Sequence, residues 1–147
     1  MADLKKAWDA DNNRYDLVLD DDLSLALDAG AVKTAVINAI LSWGRADESD
    51  PLPGFDGDLK GHWGDAYATR ARGSLVWLLT GRIVTEQTLA DAKAYLEAAV
   101  AGLIADGWLA EARAVVWRGE APTTIAARLH LKLPDGRETS VEIDPTA

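Results

Sequence analysis

The spacing of hydrophobic positions changes several times along the chain, and each change predicts an element. From Ala31 to Trp43, the residues Val32, Val36, Ala39, Ile40 and Trp43 recur at three- and four-residue steps. They share one face of a helix, with Asp28 as its N-cap and Gly44 as its stop. A longer helical run opens at Thr85, the N-cap, with Glu86 in the first turn. Leu89, Ala92, Leu96, Ala99, Val100, Leu103 and Ile104 form its apolar stripe, Asp91, Lys93 and Glu97 lie away from it, and Gly107 ends it. Between these two, Gly73 and Ser74 introduce five consecutive apolar residues, Leu75 to Leu79, and Gly81 follows. Five in a row cannot share one side of a surface helix, so this segment reads as a third helix, short and almost fully buried, with Trp77 structural.

The last forty residues switch to a period of two. Ala112 to Trp117 favours a strand. Ile125, Ala127, Leu129, Leu131 and Leu133 then alternate with Ala126, Arg128, His130 and Lys132, which gives a strand with one dry face and one wet face. Pro134-Asp135-Gly136-Arg137 is a turn, since proline presets its dihedral and glycine accepts a positive one. Val141 and Ile143 continue a returning strand that ends at Asp144-Pro145. At the other end, Leu4 to Trp8 and Tyr15 to Leu19 flank Asp9, Asp11, Asn12 and Asn13, which predicts a short N-terminal hairpin. The fold class expected is α+β: an N-terminal hairpin, three helices, and C-terminal antiparallel strands packed on them. With 147 residues, one domain is expected.

Composition narrows the function. A formal net charge of −9 disfavours a nucleic-acid surface, which needs clustered Lys and Arg, and disfavours an anionic membrane surface. The absence of cysteine removes disulfides, thiolate nucleophiles and Cys-based zinc sites. No run approaches a membrane span and Met1 to Trp8 carries no secretory signal, so a soluble chain made in a cytoplasm is expected. Asp20-Asp21-Asp22 and Asp56-Gly57-Asp58 lack the ligand spacing of a calcium loop and read as solvated turns. No cofactor and no metal is expected.

The centre of the chain is Gly61-His62-Trp63-Gly64-Asp65-Ala66-Tyr67, preceded by an aperiodic acidic loop from Arg45 to Lys60. Leu52, Phe55 and Leu59 are the loop's large apolar residues and are expected to tack it to the body. Glycines beside bulky rings fit two arrangements. In one, Trp63 and Tyr67 plug an end of the core; in the other, the stretch is a docking loop for a partner. The general burial of aromatics favours the plug. Neither arrangement is catalysis. His62 and Asp65 suggest a base and its orienter, but no nucleophile stands beside them. Ser74 lacks the second glycine of a nucleophile elbow, and His130 falls on a wet strand face. A glycan hydrolase needs two carboxylates flanking a cleft, and 24 acids make chance pairings unavoidable. Glycan hydrolysis and an unrelated helical adaptor are the alternatives to assembly.

These residues also carry a resemblance. The order of acidic loop, Gly61-His62-Trp63-Gly64-Asp65-Ala66-Tyr67, Gly73-Ser74-Leu75-Val76-Trp77-Leu78-Leu79, then Thr85-Glu86 opening a helix that closes on Ile104-Ala105-Asp106-Gly107, resembles the Mu-like phage baseplate protein family. The likeness runs from about Leu17 to Ile143, with Gly61, Trp63, Gly64, Asp65, Tyr67, Trp77, Asp106 and Gly107 as its motif positions. His62 stands where that family usually has an aromatic. The family is similar in turn to the baseplate wedge protein of T-even contractile tails, which starts sheath assembly. The Glu-Pro-Arg type of motif of that relative is absent after the first helix, where Gly44-Arg45-Ala46-Asp47-Glu48 stands. The resemblance implies a structural subunit of the virion tail baseplate, made in a bacterial host cytoplasm. Its partners would be other wedge proteins and sheath or tube subunits. A C-terminal strand edge, with Thr139, Val141 and Ile143, is the expected partner contact, because an edge strand offers unpaired backbone groups to another chain.

Overall fold

The computed structural model describes residues 4–9 and 14–19 by their backbone, then residues 29–54 and 56–144. Strands β1 (Leu4–Asp9) and β2 (Arg14–Leu19) form an antiparallel ladder running from Leu4 opposite Leu19 to Asp9 opposite Arg14. The expected N-terminal hairpin falls on this ladder. Of the residues expected to form its turn, Asp9 ends β1, while Asp11, Asn12 and Asn13, like the Asp20–Asp22 run, the Asp28 cap and Phe55, lie outside the described residues.

Helix α1 spans Ala29–Leu41 and α2 spans Glu86–Ala105. Three further strands, β3 (Glu111–Arg118), β4 (Ile125–Lys132) and β5 (Glu138–Ile143), make an antiparallel sheet in that order. The architecture is therefore α+β, with α1 and α2 covering one face of a three-stranded sheet. Among the described residues two helices, not three, are α-helical. The apolar run Leu75 to Leu79 forms a four-residue 3-10 turn, Val76–Leu79, with Val76, Leu78 and Leu79 buried and Leu75 and Trp77 half-buried. A run with no helical period has no apolar stripe to extend, so it closes one tight turn and ends at Thr80.

Alternation along β4 sets the core. Ile125, Ala127, Leu129, Leu131 and Leu133 are buried, while Arg128, His130 and Lys132 face solvent. Leu129 lies opposite Ala114 of β3 and Val141 of β5, so one row of the dry face crosses all three strands. That face packs on Val32, Val36, Ile37 and Ile40 of α1 and on Leu96 and Val100 of α2. Each such aliphatic side chain contributes roughly 1.5–3 kcal/mol when fully buried. A smaller cluster of Leu79, Val84, Ala92 and Ile125 continues the core beside the Val76–Leu79 turn.

Both helical faces differ from expectation at their ends. Ile37 joins the α1 core, while Trp43 lies beyond the helix and is exposed, because residues 42–44 leave it to pair with Ser74. Ile104 sits in the last turn of α2 and faces outward. Thr85 caps the start of α2 by accepting a hydrogen bond from the Thr88 amide at 3.2 Å. Gly107, at φ +82°, lets the chain reverse after α2, and the Trp108 amide then bonds the Leu103 carbonyl at 3.0 Å.

Candidate functional site

The end of α1 is held by Gly73-Ser74. The Ser74 amide donates to the Ser42 carbonyl and the Gly44 amide to the Ser74 carbonyl, each at 2.8 Å. The Ser74 hydroxyl donates to the Ile40 carbonyl at 2.6 Å, which satisfies a helix-end acceptor in the interior. Gly73 has φ +84°, and a Cβ there would meet the Ser42 carbonyl oxygen at 2.5 Å. Trp77 closes the same junction: its indole N–H donates to the Gly44 carbonyl at 2.9 Å. The Lys60 ammonium stands 4.7 Å from the centroid of the Trp43 ring and 6.0 Å from that of Trp77.

The motif stretch forms the other 3-10 turn, Trp63–Tyr67. His62 caps it, with Nδ1 accepting the Gly64 amide at 3.0 Å. Asp65 reciprocates by accepting the His62 amide at 3.2 Å and the Arg72 amide at 3.1 Å. The base–orienter pair that the sequence suggests and sets aside does not form, since the Asp65 carboxylate is bonded to backbone amides and the His62 Nδ1 lone pair holds the cap. Nor do the aromatics plug the core. Trp63 is 82% exposed and Tyr67 87% exposed. Gly64 is the residue turned inward, and even a Cβ added there would lie 3.0 Å from His62 Nδ1. The turn's inner side has no room for a ring, so both rings project to solvent, and Trp63 stacks on His62 with centroids 5.4 Å apart.

Arg70 ties this region to α2 through both carboxylate oxygens of Asp106, at 2.6 and 2.7 Å, and through the Gly102 carbonyl at 3.1 Å. The motif positions Asp106 and Gly107 thus serve the helix end, one as an anchor and the other as a reversal. The acidic loop is ordered by its own carboxylates. The Asp47 carboxyl is held below the usual Asp range by the amide and hydroxyl of Ser49. The Asp58 carboxyl is lowered by the Lys60 amide and ammonium, with help from the charges of Lys60 and Arg45. Arg82 fastens the loop to the body through the Pro51 carbonyl at 2.8 Å.

The sheet has two edges, and they differ. The Leu133 amide bonds the Arg137 carbonyl at 2.8 Å, which fixes residues 131/139, 129/141 and 127/143 as the hydrogen-bonded pairs of β4 and β5. The alternate residues of β5, Glu138, Ser140 and Glu142, therefore aim their backbone groups away from the sheet. The side chains expected to meet a partner, Val141 and Ile143, are buried in the core, and Thr139 is half-buried. On β3 the same alternation aims Ala114 outward, but its amide is taken by Glu97 of α2 at 3.2 Å. Helix α2 covers the β3 edge, and among the described residues β5 is the open one.

The described residues contain no group of three or more His, Cys, Asp or Glu able to hold a metal. One surface groove holds Glu111 and Glu138, which face Lys132 from either side in the cross-strand register. A second, between α1 and α2, holds Asp106, already engaged by Arg70. Sequence reasoning did not identify Lys60, Arg70, Arg72 and Ser74, because each acts on a segment distant in the chain or through a backbone turn.

Residues 32–138 match the family described as Phage protein GP46. The Baseplate protein gp46 of Escherichia phage Mu is 37% identical over 100 residues, which cover 68% of this chain and 66% of that protein. The chain thus spans just under two thirds of the length of that relative. The matched range takes in most of α1, both 3-10 turns, α2, β3 and β4, so the likeness follows the packed core and the motif loop together. The chain belongs to the GP46 family of phage proteins.

Proposed function

We propose that the chain is a structural subunit of the baseplate of a contractile phage tail or a related injection machine, acting by protein–protein assembly. The observation that carries this reading is the 37% identity to the Mu baseplate protein, within a family match that spans α2 and most of the sheet. Wedge and sheath or tube subunits are its partners in this reading, and the virion tail baseplate is its location. Two features of the surface support an assembly role. Trp43, Trp63 and Tyr67 are large rings left in water, and Trp and Tyr are the side chains that interface hot spots favour. The β5 edge offers the backbone groups of Glu138, Ser140 and Glu142 for strand addition.

In this reading the segment from Thr139 to Ile143 docks a neighbouring subunit through its backbone, while Val141 and Ile143 keep the strand seated. Glu142→Pro tests it, because proline deletes an outward amide and leaves the buried face intact. The variant is expected to keep its circular dichroism spectrum and to fail to enter tail particles when it replaces the natural chain. A folded variant that enters complete tails normally would rule out the β5 edge as the contact.

A further inference from the structure

We infer that the surface formed by Trp43, Lys60, His62, Trp63 and Tyr67, with Arg45 and Arg72 beside it, binds an apolar segment of another tail protein that carries carboxylates. This inference rests on the assembly reading above and names a second contact within it, separate from the β5 edge.

Among the described residues, Tyr67, Trp63 and Trp43 are three of the four most exposed large hydrophobic side chains. Trp63 and Tyr67 bound one 3-10 turn, and the Trp43 ring is joined to the residues just before that turn through Lys60, 4.7 Å from its centroid. The backbone beneath them is held in place. Lys60 has φ +57° although it is not glycine, and Gly61 follows at φ +100°, where a Cβ would meet Arg45 Cβ at 2.8 Å. A left-handed residue other than glycine, here Lys60, is costly, and such strain persists where surrounding contacts over-determine it, commonly at binding sites. The contacts here are the His62–Asp65 cap, the Asp65 bond to the Arg72 amide, and the Ser74 bridge to Trp43. Rings displayed on a fixed turn lose little conformational entropy on docking, as expected of interface hot spots, which favour Trp and Tyr.

Charge decides the kind of partner. The chain carries −9 overall, yet three cations are tied to this surface: Lys60 over the Trp43 ring, Arg45 against Gly61 and Arg72 against Gly64, with Asp58 and Asp65 beside them. Asp58 is paired with Lys60 at 3.0 Å, and Asp65 accepts two backbone amides. Neither the Arg45 nor the Arg72 guanidinium has an ion pair or hydrogen bond among the described residues. Arg72 is close to the turn itself, its guanidinium carbon 3.9 Å from a Cβ placed on Gly64. Two unpaired planar donors beside three exposed rings suit a segment in which apolar residues alternate with Asp or Glu, since Arg binds carboxylates in bidentate fashion.

Photo-crosslinking in assembled tails tests this directly, with p-benzoylphenylalanine in place of Tyr67, the most exposed of the large hydrophobic side chains among the described residues. Incorporation of the chain into particles is scored first by mass spectrometry of purified tails. A chain missing from tails even in its natural form defeats the assembly reading itself. If the chain is present, the expected crosslink is to a peptide of a different tail protein that bears Asp or Glu beside apolar residues. The double change Arg45→Glu and Arg72→Glu should lower its yield about 10- to 30-fold, the scale of losing interface hot spots, with the urea midpoint unchanged. A crosslink to a second copy of this chain, to a peptide without acids, or to no protein at all would overturn the inference. So would a crosslink whose yield survives the charge reversal.

Discussion

Trp77 has two roles at the scale of a single residue: its ring packs at the α1 junction and its N–H donates to the Gly44 carbonyl at 2.9 Å. It is half-buried, so Trp77→Ala should cost about 2–3 kcal/mol, less than truncating a fully buried Trp. Trp77→Phe keeps most of the packing and loses the donor, and should cost about 1 kcal/mol. Urea midpoints separate the two, and equal losses would mean that the hydrogen bond contributes nothing. Glycines give a second contrast. Gly136 has φ +91° with open space around it, whereas Gly73 combines φ +84° with three backbone atoms inside 2.8 Å of a would-be Cβ. Gly136→Ala should therefore cost about 1 kcal/mol and Gly73→Ala distinctly more, with loss of the Trp43–Ser74 bridge. Similar midpoints for both would contradict the close approach. The sequence marks Trp77 as structural and places Gly73 only as the lead-in to its apolar run, but the backbone geometry shows that both act on the same helix end.

Among the elements, β4, α2 and the 134–137 turn were legible because each has one unbroken period or a turn with a chemical cause. The segment Leu75 to Leu79 was not, since five apolar residues in a row look the same in a short helix and in a 3-10 turn. Trp63 and Tyr67 misled for a related reason: aromatic character favours burial, but the direction of a ring is set by the turn that carries it, and here Gly64 occupies the inner side. The acidic loop is an element whose order depends on charge. Asp47 and Asp58 have carboxyls held below the ordinary Asp range by the Ser49 and Lys60 amides. A carboxyl lowered in the folded state stabilises the loop fully above the unfolded Asp value, about 3.9, and that contribution is lost as pH falls through the lower folded value. In an NMR titration, the Ser49 and Lys60 amides should therefore shift together only below about pH 4, before the core amides of β4 change. Amides that shift at neutral pH, or not at all on acidification, would show that these carboxylates do not order the loop.

On the scale of the whole molecule, the helices and the three-stranded sheet cover one another, and among the described residues two kinds of surface are left open. One is the row of backbone groups on β5, and the other is the set of rings and cations around Lys60. The α+β class and the family were legible from the order of motifs, because that order follows the core. The distinction between the covered β3 edge and the open β5 edge was not, since it depends on the reach of one side chain, Glu97, to the Ala114 amide. A molecule of this kind is expected to complete itself in an assembly. Cryo-electron microscopy of intact tails from the cell that encodes the chain tests this most directly. The account predicts density for this fold in the baseplate, with β5 extended by a strand from a neighbour and Trp63 and Tyr67 covered. Complete, contractile tails whose baseplate contains no copy of this chain would contradict it.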